Sequence, residues 1–303
     1  MGLKKPMYGL KSIPIGDSNQ LSSKSSDWDL IITSHRGWFN LDLKGIWQYR
    51  DLIRLFIRRD IVAQYKQTVL GPLYFALTPI IGTLINMMIF GQIAKLSTDG
   101  IPQLLFYMSG NLFWSYFATC LGAGKSVFQS NVGLFSQVYF PRLSVPISQN
   151  ISALFKLSIQ FGLFIFFYIY FSTKGAEMNP SRGIVLIPLL LLQCSLLGLG
   201  TGILMSSFTT KYRDLNFIYS FISSFWMYAS PVVYPLSVIP EKWHYAVSFN
   251  PMVGIIETAR QVIFGRSSVE PTFIINGLIT TMVLLLVGLI IFNRVEKTFL
   301  DTV

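Results

Sequence analysis

Side chains that could act as an acid or a base are scarce in the apolar parts of this 303-residue chain. The two histidines, His35 and His244, lie outside the stretches that are long and apolar enough to cross a membrane, and those stretches contain no Asp or Glu. An intramembrane hydrolase needs a base beside its nucleophile, and ion-coupled transporters usually carry ionisable groups inside the bilayer. The sequence therefore disfavours both classes, and any driving energy must come from another protein.

A glycine-rich stretch, GAGKS at residues 122–126, resembles the end of a phosphate-binding loop. The complete motif requires a glycine where Thr119 stands, and it must follow a strand, whereas this stretch ends an apolar segment. We interpret it as a chance match and expect this chain to bind no nucleotide, cofactor or metal. Cys120 and Cys194 fall in apolar segments, which indicates small buried side chains rather than a disulfide.

Aromatic side chains make up 15% of the chain and cluster in three apolar segments. Flat rings can stack on the C–H faces of sugars, while phenol and indole groups hydrogen-bond to hydroxyls. One hypothesis is therefore a channel lined by Phe113, Trp114, Tyr116, Tyr168, Trp226 and Tyr228. The alternative is that these rings pack at the membrane interface or against lipid.

The elements that must position these residues are membrane helices. Apolar residues make up 52% of the chain and charged residues 13%, whereas about 25% charged residues is usual for a soluble domain. Because a bilayer core of about 30 Å needs about 20 apolar residues per helix, six spans are predicted, at about 72–94, 104–122, 148–171, 184–207, 215–234 and 272–292. The predicted fold is an all-α integral membrane protein, with one six-span domain over residues 71–295. Within it, Gly198 and Gly202 form a GxxxG pair suited to close helix packing.

The segments outside this domain are more polar. Residues 1–43 form a polar tail, residues 44–70 contain a basic amphipathic helix, and residues 296–303 form a short C-terminus. We expect the amphipathic helix to lie in the membrane interface, where it would present Arg54, Arg58, Arg59 and Lys66 to lipid headgroups. The alternative is a soluble helix packed on a partner.

The net charge of +10 predicts the orientation of the chain. Lys and Arg are more frequent near the face that carries the N-terminus, which places that face in the cytoplasm. An even number of spans then places both termini in the cytoplasm. We assign the excess positive charge to anionic headgroups and expect no nucleic-acid partner.

Two segments that connect predicted spans should form short helices of their own. Residues 125–147, between the second and third spans, should contain a short helix parallel to the cytoplasmic face. That helix would expose Phe140 and Arg142 to a soluble partner, unless it is a plain surface helix.

Residues 235–266 should form two half-spanning or surface helices on the outer side. Pro240 and Pro251 bracket the first of these helices. In the second helix Glu257 and Arg260 are three residues apart, which predicts either a local ion pair or a gating role.

Five ordered stretches carry a resemblance to a known family. They are RDIVAQYKQTVLGPLYFALTP (59–79), VYFPRLSVP (138–146), KYRDLNFI (211–218), SPVVYPLSVIPEKW (230–243) and FNPMVGIIETARQVIFG (249–265). With them the chain resembles the permease subunits of ATP-binding cassette exporters for lipid-linked polysaccharides, the group that exports O-antigen, capsule and teichoic acid. The long polar tail is the one departure, because the family does not require it.

This resemblance implies a homodimer bound to two copies of a separate ATPase subunit, which binds the ATP and Mg. It implies that the chain itself is a permease and not an enzyme, in the bacterial inner membrane. The family's coupling helix falls on Tyr139, Phe140, Pro141 and Arg142. Its periplasmic gate falls on Glu241, Trp243, Pro251, Glu257 and Arg260.

The expected function is the export of a polyprenyl-diphosphate-linked polysaccharide. An alternative within the same class is a permease that exports lipids or drugs. Alternatives from other classes are an intramembrane enzyme of glycan assembly and a passive channel. The lack of histidine in the predicted spans argues against the enzyme.

Overall fold

The structure is a computed structural model that describes residues 43–66, 72–138, 140–211, 214–266 and 269–302. All regular secondary structure in these ranges is helical. The predicted tail lies outside the described residues except for Leu43, and so do residues 67–70 at the end of the predicted interface helix. The helices are α1 Leu43–Gln48, α2 Arg50–Lys66, α3 Pro72–Asn86, α4 Gln103–Lys125, α5 Val127–Ser130, α6 Val132–Gln137, α7 Ser144–Thr173, α8 Ile187–Lys211, α9 Leu215–Tyr228, α10 Glu241–Ser248, α11 Pro251–Phe264 and α12 Pro271–Thr302.

Helix α4 is the centre of the fold and packs on α7, α8 and α11. The GxxxG pair allows α8 to approach it closely. A Cβ placed on Gly198 would lie 2.5 Å from Cβ of Cys120, and one on Gly202 would lie 2.9 Å from Cα of Gly124. Since real side chains never come so close, glycine is required at this contact. The predicted use of these glycines for close packing is confirmed.

Four helical segments in the described ranges are long and apolar enough to cross a membrane, namely Leu73–Ile93, Ser144–Thr173, Arg182–Thr209 and Pro271–Val295. They match four of the predicted spans. Helix α3 is extended by a π-helical segment, Met87–Ile93, and α8 is preceded by a 3₁₀ turn, Arg182–Leu186.

The second and fifth predicted spans behave differently. Helix α4 is long enough to span, with 23 residues, and its polar side chains such as Ser109 and Asn111 are covered by neighbouring helices. Helix α9 has 14 residues and so a length of about 21 Å, less than a bilayer core. The prediction of one helix over 215–234 is wrong at its end, because the chain turns at Ser230 and Pro231.

Helix α2 is amphipathic as predicted. Its basic side, with Arg50, Arg54 and Arg58, is exposed, while Phe56 on the other side is buried. Phe56 packs edge-on against Phe140 with 5.8 Å between the ring centroids, and the helix lies along α7. The buried Phe56 of α2 therefore packs on the chain itself, and the position of the helix in the membrane interface stays a prediction.

Candidate functional site

Helix α11 carries two buried charges. Glu257 and Arg260 are 2% and 1% exposed, and the carboxylate Oε1 lies 2.9 Å from the guanidinium Nη1. The sequence fixes both ends of this helix. Asn250 caps the start by accepting a backbone N–H of the first turn, and Pro251 occupies the first position, where a missing N–H is not needed. Gly265 ends the helix in the left-handed conformation, with φ of 71°.

The guanidinium of Arg260 joins α11 to α4 and to the turn after α9. Nη1 donates a hydrogen bond to the carbonyl of Pro231 at 2.6 Å, and Nη2 donates to those of Val232 and Phe106 at 3.0 and 3.3 Å. Its Cζ lies 3.7 Å from the centroid of the Phe106 ring. Because the five N–H donors of arginine are held in a rigid fork, one side chain fixes three segments.

The space for this guanidinium depends on Gly110 in α4. A Cβ there would lie 2.5 Å from the carbonyl oxygen of Val232 and 2.9 Å from Nη2 of Arg260. Burial lowers the pKa of Arg260 and the carboxylate of Glu257 raises it again, and arginine stays protonated in proteins. We call Glu257, Arg260 and the carbonyls of Phe106, Pro231 and Val232 the α11 clamp. Its ion pair is neutralised, which suits it to holding helices together rather than to moving protons.

The predicted pairing of Glu257 with Arg260 is confirmed. Of the two predicted placements of α11, half-spanning or surface, its burial excludes the surface helix. All residues of α11 except Gln261 are buried, because the helix is wedged against α4, α8 and α12. Helix α10 does lie at the surface, where Glu241 and Trp243 are exposed. A gating role for these residues stays a prediction.

Asn250 also connects the end of α9 to the start of α11. Its Oδ1 accepts a hydrogen bond from Nε1 of Trp226 at 2.9 Å, and its Nδ2 donates to Oγ of Ser230 at 3.0 Å and to the carbonyl of Ala229 at 3.1 Å. The indole of Trp226, predicted to line a channel, is thus half-buried and held by an amide. An asparagine directly before a proline indicates a helix cap from sequence alone. The hydrogen bonds of Asn250 to the end of α9 could not be predicted, because they depend on the fold.

The predicted coupling residues are not exposed as expected. Phe140 and Arg142 are buried, and the Arg142 guanidinium lies over the Phe135 ring, 5.3 Å from its centroid. Pro141 is half-buried, and Tyr139 lies outside the described residues. The segment forms two short helices, α5 and α6, whose apolar side turns inward with these residues. The exposed side chains of this segment are instead those of residues such as Gln129, Ser130, Gln137 and Val138.

Three of the predicted channel residues, Phe113, Trp114 and Tyr116, are buried in the core. They lie on α4 and contact other helices of the same chain rather than an open path, and a channel role for them stays a prediction. Tyr168 is half-buried and donates its hydroxyl to the carbonyl of Ile263 at 3.2 Å. Tyr228, at the end of α9, is exposed.

The predicted basic surface is present on α2. Arg54, Arg58, Arg59 and Lys66 are all exposed. Arg54 pairs with Asp51, Arg59 pairs with Asp60, and the Arg59 guanidinium lies 4.9 Å from the centroid of the Phe56 ring. The row of positive charges is therefore partly neutralised along the helix.

A search for acids and histidines overlooks Lys156, which lies half-buried within the span Ser144–Thr173. One turn further along α7, Gln160 accepts a hydrogen bond from the Ser115 hydroxyl at 2.8 Å. The position of Lys156 in the middle of an apolar stretch was already visible in the sequence. Ion coupling is thus disfavoured by the lack of acids and histidines in the predicted spans, not by a lack of every ionisable group.

Comparison of the sequence with known proteins identifies a family. The model of the ABC-2 type transporter membrane domain matches residues 51–264, which is more than half of the chain. The chain belongs to the ABC-2 type transporter family. The match includes the α11 clamp and extends from α2 to the end of α11, and it confirms the family predicted from the five sequence stretches.

Named relatives of this ABC-2 protein are polysaccharide permeases. It is 27% identical to the O-antigen export system permease protein RfbA of Myxococcus xanthus over 73% of this chain and 83% of the relative. An RfbA of Klebsiella pneumoniae is 26% identical over 83% and 94% of the two chains. The polysialic acid transport protein KpsM of Escherichia coli is 24% identical over 82% and 94%.

Proposed function

We propose that this ABC-2 protein is the transmembrane subunit of an ATP-driven exporter of a lipid-linked polysaccharide in the bacterial inner membrane. The observation that carries the proposal is the family match over residues 51–264, together with relatives named for O-antigen and polysialic acid transport. The scarcity of acid–base groups in the predicted spans supports a permease driven by a separate ATPase subunit, which would bind the ATP and Mg. A polyprenyl-diphosphate carrier is the proposed lipid.

A polysaccharide poses a desolvation problem, because one unsatisfied hydroxyl in hydrocarbon costs about 2–7 kcal/mol. Helix α9 offers a surface suited to contact with a sugar chain. Phe217, Phe221, Phe225 and Tyr228 form a stripe along one side and are between 56% and 84% exposed. Exposed Ser220 and Ser224 lie beside the stripe. We infer that two subunits form a homodimer in which the two stripes flank the path of the sugar chain.

Energy would enter through the segment between α4 and α7. Two copies of an ATPase subunit would contact the exposed side of α5 and α6 near Gln137 and Val138. Buried Phe140, which packs on Phe56 of α2, would then transmit the movement to α2 and α7. In this proposal the coupling residues act from inside the fold, as the connection between docking site and membrane helices.

The outer gate would be formed by α10 and the turns around the α11 clamp. Exposed Trp243 lies on α10, and Arg260 holds the turn at Pro231 and Val232. We further infer six crossings, with α9 and the turn after it forming the fifth. Both termini would then lie in the cytoplasm, with α10 and α11 on the outer side.

Deletion of the gene tests the proposal. The expected result is loss of surface polysaccharide and accumulation of lipid-linked polymer inside the cell, both restored by the wild-type gene. Surface polysaccharide that stays normal, together with a changed resistance to drugs or a changed lipid distribution, would favour the lipid or drug exporter. Export that continues while ATP hydrolysis by the partner is blocked would favour a passive channel.

A further inference from the structure

An apolar cavity lies beneath α9, between this helix and α4, α8 and α12. Its volume is about 120 Å³, it is partly open, and apolar atoms of the described side chains form its wall. The α9 side of the wall comes from Tyr219, Ser223 and Trp226, and the opposite side includes Leu121, Leu204 and Leu284. The cavity is separate from the aromatic stripe, which lies on the other side of α9.

Helix α9 packs loosely on the rest of the described chain, and the cavity lies on its inner side. None of the 14 residues of this helix, all of which the structure describes, is buried. Wall atoms of an empty void lose dispersion contacts, and an apolar cavity of about 150 Å³ in another protein stays dry and binds benzene. Inside a bilayer, the apolar molecule available to fill such a space is the acyl chain of a lipid.

The ammonium group of Lys125 lies at one end of the cavity wall. Lys125, the last residue of α4, places its Nζ 3.9 Å from the centroid of the Tyr219 ring. The sequence places Lys125 at the cytoplasmic end of the second predicted span. An apolar cavity and an ammonium group that share one aromatic ring complement an amphiphile with an apolar chain and an anionic head.

We propose that the cavity and Lys125 form a binding site for an anionic phospholipid of the surrounding bilayer. Part of one acyl chain occupies the cavity, and the phosphate lies at the ammonium of Lys125. The cavity has room for a short stretch of chain only, which suits a resident phospholipid rather than a polyprenyl carrier. By filling the space beneath α9, the lipid determines how firmly this helix is held. The site is independent of which substrate is exported.

Trp226 in the cavity wall gives a direct test, because bromine on an acyl chain quenches indole fluorescence on contact. The full-length chain keeps Trp226, its other five tryptophans are replaced by phenylalanine, and it is placed in nanodiscs of phosphatidylcholine. Brominated phosphatidylglycerol should reach half-maximal quenching at about fivefold lower mole fraction than brominated phosphatidylcholine, the factor expected of one lysine near an anionic headgroup. Lys125→Gln should remove the difference. Lys174→Gln should retain it, although Lys174 also lies over a tyrosine, Tyr170.

A cavity-filling variant tests the acyl chain separately. Ser223→Phe should abolish the quenching that is specific to the anionic lipid, whereas Ser220→Phe on the exposed side of α9 should preserve it. Equal quenching by the two lipids, or no response to Lys125→Gln, would overturn the proposal. Loss of this quenching when a small mole fraction of polyprenyl phosphate is added, but not when unbrominated phosphatidylglycerol is added at the same fraction, would assign the site to the carrier instead.

A second measurement covers the case in which the tryptophan-depleted chain does not fold. Native mass spectrometry of the otherwise unmodified protein counts the phosphatidylglycerol molecules retained after mild delipidation. Lys125→Gln should retain one fewer per chain than wild type, and Lys174→Gln should match wild type. An unchanged count in Lys125→Gln would contradict the site.

Discussion

Helices α4 and α9 are both apolar and aromatic, yet they have opposite surroundings. Fifteen of the 23 residues of α4 are buried, whereas α9, described over its whole length, contributes none. Phe117 of α4 packs 5.0 Å from the ring of Trp226, while Phe221 of α9 is exposed. Aromatic composition therefore does not tell a packing helix from one that is available to another molecule.

The contacts around each helix explain the difference. Gly198 and Gly202 bring α8 against α4, and Arg260 fastens α11 to it. On its inner side α9 borders a cavity. Its end is held by Asn250, which accepts a hydrogen bond from Trp226 and donates one to Ser230. Few buried contacts and a weak attachment are typical of elements that move. We expect α4 and α11 to stay together while α9 changes position.

Removal of the buried arginine should have the largest effect. Arg260→Met leaves the Glu257 carboxylate buried without its partner and should lower the free energy of unfolding by about 3–5 kcal/mol, measured by SDS titration of the purified protein. Arg266→Met removes an exposed ion pair with Glu177 and should cost less than about 1 kcal/mol. Similar losses in the two variants would mean that the clamp does not hold α11.

The α11 clamp should also be destabilised when a side chain fills the space beside Gly110 that the Arg260 guanidinium occupies. Gly110→Ala should lower the free energy of unfolding by about 1–3 kcal/mol, because the new methyl group meets the carbonyl of Val232 and the Arg260 guanidinium. The matched control is Gly162→Ala on α7, where a Cβ would meet no described atom within 4 Å. That change should be neutral or stabilising by up to about 1 kcal/mol. The reverse order of the two effects would refute the close approach at Gly110.

The connection between α9 and α11 through Asn250 should contribute less to the free energy of unfolding than the α11 clamp. Asn250→Ala removes a helix cap and the bond to Trp226, and it should cost about 0.5–2 kcal/mol of unfolding free energy in the same titration. Trp226→Phe removes the indole N–H and part of a half-buried ring but leaves the cap of α11 intact, and it should cost less. If the two variants lost the same amount, the cap would contribute nothing beyond the indole bond.

Changes on the exposed stripe should have the smallest effect on stability. The double variant Phe221→Ala with Phe225→Ala should shift the free energy of unfolding by at most about 0.5 kcal/mol per site, whereas Phe117→Ala in the core should cost about 3–5 kcal/mol. Surface polysaccharide, measured by gel and immunoblot, should nevertheless fall in the double variant. Normal export in the double variant would contradict a role of the exposed stripe in export.

The sequence predicted the helices well and their surroundings poorly. Prolines and apolar lengths locate α7, α10 and α11 within a few residues, because these signals are local. The three-residue spacing of Glu257 and Arg260 predicts an ion pair but not its burial, which depends on the carbonyls of α4 and of the turn after α9. Aromatic residues on α4 look the same whether they face lipid, a channel or protein, so Phe113 could not be placed.

Cross-linking between subunits tests most directly the claim that the exposed face of α9, and not α4, borders the export path. Phe221→Cys and, separately, Phe113→Cys are introduced into a chain whose Cys120 and Cys194 are replaced by alanine, and cells are oxidised during export. We predict a disulfide-linked dimer and arrested export for Phe221→Cys, both reversed by reductant, and neither effect for Phe113→Cys. A Phe221→Cys chain that remains monomeric and exports normally would contradict the account.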